Sequence, residues 1–92
     1  MRSTEIIQFL NCLQGKAIIA KSSGYISCQV VINELEYVIK YEIITLQDKQ
    51  TENFMVLDLR KIKEVIVDKD KINISIFIND EIETEISISK IG

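Results

Sequence analysis

Glu34 and Glu36 stand two residues apart, as do Glu83 and Glu85. Two carboxylates on one strand face are the minimal equipment for general acid–base chemistry. That chemistry needs one of the pair held protonated by burial or by a like charge. Nothing near either pair in sequence supplies burial or a proton partner, so both read as solvated strand faces. Asp68-Lys69-Asp70-Lys71 alternates its acids as a cation loop does, but it lacks the glycine and the distal glutamate that calcium loops use. It reads as a charged turn. There is no histidine, the commonest general base and metal ligand. Two cysteines, Cys12 and Cys28, without histidine or a repeated CxxC do not make a zinc site. They read as small buried hydrophobes of a reducing compartment. Gly15, Gly24 and Gly92 are too far apart to form a phosphate-cradling loop. The chain therefore reads as a non-enzyme, with no catalytic residue, no metal and no cofactor.

Binding chemistry is less sparse. Arg60-Lys61-Ile62-Lys63 is a basic cluster that could be a solvated turn or a phosphate contact. Tyr37 and Tyr41 share the parity of Leu35, Ile39 and Ile43, which suits core packing first and base stacking second. The net charge of −3 argues against a general nucleic-acid binder. Ile66 and Phe77 fall on the nominally wet face of the closing strands. Large apolar groups on that face are sticky, and they mark a surface for self-association.

The elements that must carry these residues follow from periodicity. Ile6, Phe9, Leu10 and Leu13 recur at helical spacing, which predicts a helix over 4–14 that ends at Gly15. After it the period becomes two. Strands are expected over 16–21 and 25–33, with a turn at 22–24 between them. A long third strand is expected over 35–46, a polar loop over 47–53, and a fourth strand over 54–59. Residues 60–63 make a tight connection to a short fifth strand over 64–67. Ile72, Ile74, Ile76 and Ile78 then alternate with polar residues, and Ile82, Ile86 and Ile88 keep the same parity. Register by parity pairs Val67 with Ile72, Val65 with Ile74, Ile78 with Ile82, Ile74 with Ile86 and Ile72 with Ile88. The first of these hairpins then turns through 68–71 and the second through 79–81.

With 47% apolar and 27% charged residues, 92 residues suit one globular domain. No apolar run is long enough to cross a bilayer, and the first residues lack the features of a signal peptide. A cytoplasmic protein without a membrane partner is expected.

Phe9-Leu10-Asn11-Cys12-Leu13 followed by Gly15-Lys16-Ala17-Ile18, the Ser23-Gly24 turn, Tyr37-Val38-Ile39, and the stretch from Val56 to Val67 together resemble the Sm-like fold of bacterial RNA chaperones. The resemblance covers about residues 5–67. Taken with the periodicity, it implies a single mainly β domain over 1–92: an N-terminal helix (4–14) and a strongly bent antiparallel sheet or small five-stranded barrel (16–67), followed by a C-terminal hairpin extension (68–92) that lies outside the resemblance and follows from the isoleucine alternation. It also implies edge-to-edge assembly into a homo-oligomer and RNA binding. On that reading Tyr37 would stack a base, Arg60 and Lys61 would contact phosphates, and Asn11 would lie near the outer edge of the helix face. The chain departs from the family's pattern, with Cys28 or Gln29 where a second glycine is usual, Asn33-Glu34-Leu35-Glu36 at the third-strand turn and Leu59-Arg60 at the closing lysine–histidine pair. The competing expectation is a protein–protein adaptor or inhibitor with no nucleic-acid role, which the acidic charge and the extra hairpin favour.

Overall fold

A computed structural model describes residues 2–24, 27–77, 79 and 81–91. Helix α1 (Arg2–Leu13) precedes eight strands. These are β1 (Ile18–Gly24), β2 (Cys28–Ile32), β3 (Leu35–Lys40), β4 (Ile43–Asp48), β5 (Phe54–Asp58), β6 (Ile62–Asp68), β7 (Lys71–Phe77) and β8 (Glu83–Lys90). A 3₁₀ turn, Leu59–Lys61, joins β5 to β6. The strands form two antiparallel sheets, a five-stranded one in the order β2-β1-β8-β7-β6 and a three-stranded meander β3-β4-β5.

The expected barrel is not what forms. The larger sheet stays open, with β2 and β6 at its edges, and β8 lies inside it between β1 and β7. The hairpin expected as an extension to the barrel thus supplies two interior strands, β7 and β8, of the larger sheet. The reason is the unbroken alternation of isoleucine. Ile72, Ile74, Ile86 and Ile88 are buried, and a strand with so strong an apolar face is stabilised most where it has neighbours on both sides.

The registers read by parity are those observed: Val67 with Ile72, Val65 with Ile74, Ile74 with Ile86 and Ile72 with Ile88. The first turn is tighter than expected, since Asp68 already pairs with Lys71. Ile78 and its pairing with Ile82 lie outside the described residues, as do Tyr25 and Ile26. The turn expected at 22–24 is extended strand instead, and Gly24 at φ +112° pairs with Thr84.

The long third strand is in fact a hairpin. Tyr41 (φ 53°) and Glu42 (φ 62°) both occupy the left-handed region, the conformation of a two-residue turn between antiparallel strands. Such a turn inverts parity. Leu35 is buried on the odd side of β3, and Ile44, Leu46 and Asp48 on the even side of β4. The cysteines also differ from expectation, for both are exposed. Cys12 lies off the buried stripe of α1. Cys28 opens an edge strand beyond the end of the core, and only Ile32 at the other end of β2 is buried.

One core unites the layers. It contains Ile6, Phe9, Leu10 and Leu13 from α1, Ile18, Ile72, Ile74 and Ile88 from the larger sheet, and Leu35, Ile44, Leu46 and Leu57 from the smaller. Asp48 fastens the end of the meander. Its carboxylate accepts from the amides of Asn33 (2.9 Å), Glu34 (3.1 Å) and Gln50 (3.0 Å) and from the Thr51 hydroxyl (3.0 Å). The Asn33 amide does most to hold its pKa below the usual carboxylate value, against the opposing effect of burial.

Candidate functional site

The residues singled out for binding do not converge. Tyr37 and Asn11 do meet, because the Tyr37 hydroxyl donates to Asn11 Oδ1 and ties α1 to β3. The Tyr37 ring is half-buried against the core, so its faces are engaged in packing. Tyr37 shares a sheet row with Leu46 and Met55, whereas Asp58, which holds Arg60, lies in the row of Lys40 and Ile43, three residues further along β3.

Arg60 is locally neutralised. Its Nε and one terminal nitrogen grip the two carboxylate oxygens of Asp58 at 3.0 and 2.9 Å. The Arg60 amide also donates to Asp58 at 3.0 Å and caps the 3₁₀ turn. The bond from the Arg60 side chain is the chief reason the Asp58 carboxyl is held down to about 2. The same bond raises the Arg60 pKa. Lys61 is exposed beside it.

Ile66 and Phe77 are exposed, as expected, on the outer face of the larger sheet. They form no common patch. Ile66 stands opposite Asn73 and Phe77 opposite Glu83, and four residues along β7 amount to roughly 13 Å. Ser75 and Glu85 lie between them. Phe77 is partly covered by the Lys63 ammonium, 5.8 Å from its ring, which also pairs with Glu83 at 2.6 Å. Of the carboxylate pairs, Glu83 and Glu85 share the outer face of β8, while Glu34 sits in the bend before β3 and is separated from Glu36 on the strand. Among the described residues no group of three His, Cys, Asp or Glu could hold a metal ion.

A surface that the sequence reading overlooked is the outer face of the meander. Alternation aims Leu35, Leu46, Met55 and Leu57 into the core, which turns a second set of residues outward. The cross-strand registers arrange that set as three rows of three: Glu36–Gln47–Phe54, Val38–Thr45–Val56 and Lys40–Ile43–Asp58. Val38 is 48%, Val56 49% and Phe54 60% exposed. Tyr41, at the apex of the adjoining turn, is 83% exposed, and the Lys40 ammonium lies 5.6 Å from its ring. The sequence signal was there in β5, where Phe54 and Val56 are apolar on one parity while Met55 and Leu57 are apolar on the other. A strand greasy on both faces in a sheet covered on one side leaves one greasy face open.

An open groove of about 360 Å³ also runs between α1 and the β6–β7 turn, lined by Glu5, Gln8, Phe9, Cys12, Val67 and Lys69 among others. Its charges are mixed, and no set of polar groups converges on one point within it. Among the described residues no helix is long and apolar enough to cross a membrane.

No protein-family model, curated protein or solved structure matches the chain. The architecture, a small mainly β protein with an N-terminal helix and two antiparallel sheets, stands on its own geometry.

Proposed function

We propose that the protein is a non-enzymatic binding module that engages the surface of a protein through the outer face of the β3-β4-β5 meander. The observation that carries this reading is the central row, Val38–Thr45–Val56, with both valines about half exposed and Phe54 open beside them. A flat apolar centre with a cation, Lys40, and two anions, Glu36 and Asp58, at its corners suits a protein partner. Such surfaces combine an apolar middle with a polar rim.

The Sm-like reading, a ring that binds RNA, has less support. Its stacking residue Tyr37 is packed against the core, its phosphate contact Arg60 is gripped by Asp58, and the chain carries a net charge of −3. A phosphate-binding surface needs uncompensated cations.

A photo-crosslinking side chain placed at position 56 tests the reading, with position 29 on β2 as the control, since Gln29 is exposed on the other sheet. Protein adducts at 56 and none at 29 are expected. An absence of protein adducts at 56 overturns the proposal. So does retention of RNA on filters that weakens with salt and disappears in a variant carrying Arg60→Ala and Lys61→Ala.

A further inference from the structure

We infer that the partner of the meander face is a second copy of the same chain, packed sheet on sheet about a two-fold axis that runs along β4. This inference rests on the reading of that face as the binding surface. It deepens that reading by naming the occupant.

The argument is self-complementarity. A two-fold interface must satisfy each residue with the residue that the axis brings opposite it on the same patch. An axis along β4 exchanges β3 with β5 and leaves each row in place. Val38 then meets Val56 of the second copy, and Val56 meets Val38. Thr45, Ile43 and Gln47 each meet themselves. At one end of the face, Lys40 meets Asp58 of the second copy, twice over, so that opposite charges lie on opposite partners. At the other end, the open Phe54 ring lies against the methylenes of Glu36, whose carboxylate reaches the rim. The alternative axis, across the strands, also joins opposite charges, Lys40 to Glu36, but it sets Gln47 on Ile43 and Phe54 on an Asp58 carboxylate already held by Arg60. The axis along β4 is favoured because it keeps Ile43 against Ile43 and Gln47 against Gln47 in the central strand.

Within one chain Lys40 and Asp58 cannot satisfy each other. They occupy the two ends of one row, two strand spacings or about 10 Å apart. The Asp58 carboxylate is fixed in place by Arg60, which orders that corner before any partner arrives and offsets part of its charge, so Lys40 of the second copy meets an ordered acceptor rather than a bare anion. Two sheets stacked face to face keep their strands within about 30° of each other.

The area sets the strength. The face spans about 14 Å across three strands and about 17 Å along five residues. Two such footprints fall well below the 1,200–2,000 Å² of a standard stable interface. A dimer of that size is weak and dissociates on dilution.

Sedimentation equilibrium across a concentration series tests this. The wild-type chain is expected to pass from monomer to dimer as it is concentrated. Lys40→Glu sets carboxylate against carboxylate, Asp58→Lys sets ammonium against ammonium, and each alone weakens the dimer at least tenfold. An equimolar mixture of the two variants restores it, because both charge pairs are then opposite in sign. Val56→Lys, in the middle of the face and away from the Asp58–Arg60 clamp, abolishes the dimer while its melting temperature shows that the fold is kept. A wild-type chain that stays monomeric at millimolar concentration overturns the inference, as does a folded pair of charge variants whose mixture fails to associate. If the chain is monomeric yet crosslinks from position 56 to a different protein, self-pairing fails and the binding reading stands. If it is monomeric and gives no adduct at all, both fail.

Discussion

Replacing Ile74 with alanine tests the physical basis of the fold most directly. Ile74 is fully buried in β7 and stands between Val65 on one neighbour and Ile86 on the other. The substitution removes three carbons, worth about 0.8 kcal/mol each in transfer from water, or about 2.4 kcal/mol. If the surrounding side chains collapse only partly and leave a void of roughly 50 Å³, the cavity adds about 1.2 kcal/mol. The expected cost is thus about 3–4 kcal/mol, a large part of the total stability of about 5–14 kcal/mol expected for a domain of this length. Ile66→Ala is the matched control. It makes the same change in a neighbouring strand, at a side chain 54% exposed on the opposite face, and should cost below about 1 kcal/mol. Intrinsic strand preference largely cancels between the two variants. Urea denaturation at 25 °C reads both, provided the slope with denaturant is unchanged. A loss below about 1 kcal/mol for Ile74→Ala would refute the burial argument, as would equal losses for the two variants.

Three further outcomes are expected. Replacing Tyr41-Glu42 with Asn-Gly, residues that adopt positive φ at little cost, should stabilise the protein by about 1 kcal/mol and raise its melting temperature by roughly 4–8 °C; an unchanged or lower melting temperature would count against the strained turn. Asp58 and Asp48 have folded pKa values below their unfolded ones. Their stabilising effect is therefore full above the unfolded value of about 3.9 and is lost as pH falls through the folded one. Denaturation midpoints should hold steady above about pH 5 and drop toward pH 2, and Asp58→Asn should flatten that drop. Tyr37→Phe removes the hydroxyl bond to Asn11 and should cost about 0.5–1 kcal/mol. Faster hydrogen exchange in α1 than elsewhere in the variant would show that the bond fastens the helix.

How much of this was legible in the sequence depended on how local the signal was. The β6–β7–β8 registers could be read because isoleucine alternates strictly there, and a slip of one residue would turn a whole row of isoleucines to water. The α1 stripe was legible for the same reason, at a different period. The β3–β4 turn was hidden because Tyr41 and Glu42 carry none of the usual turn chemistry. Only the switch of apolar positions from odd to even betrayed it. The pairing of β8 with β1 was not legible, since no local pattern states which distant strand edge a segment will meet. Asn11 and Tyr37 were singled out together for a role in RNA binding, and the structure joins them as a fastening between helix and sheet. The open meander face escaped because each of its strands had been accounted for by the face it buries.

That division of labour between faces bears on why a binding surface would arise on the meander rather than on the larger sheet. The five-stranded sheet is held by a pairing between β1 and β8 that spans most of the chain, and its order is set by contacts distant in sequence. Its inner positions carry that order, while its outer ones, such as Ile66, tolerate change. The meander is continuous from Leu35 to Asp58, and its inner residues alone supply its share of the core. Its outer positions alternate with those inner ones, so they can be exchanged without altering what the core contains. A surface free to change at little cost to folding is where recognition is most readily built. Exposed apolar side chains occur on both sheets, Ile66 and Phe77 on the larger and Val38, Phe54 and Val56 on the meander. On the meander Val38, Phe54 and Val56 fall in adjoining rows, whereas Ile66 and Phe77 stand apart on the larger sheet, and that contiguity supports the proposed binding surface.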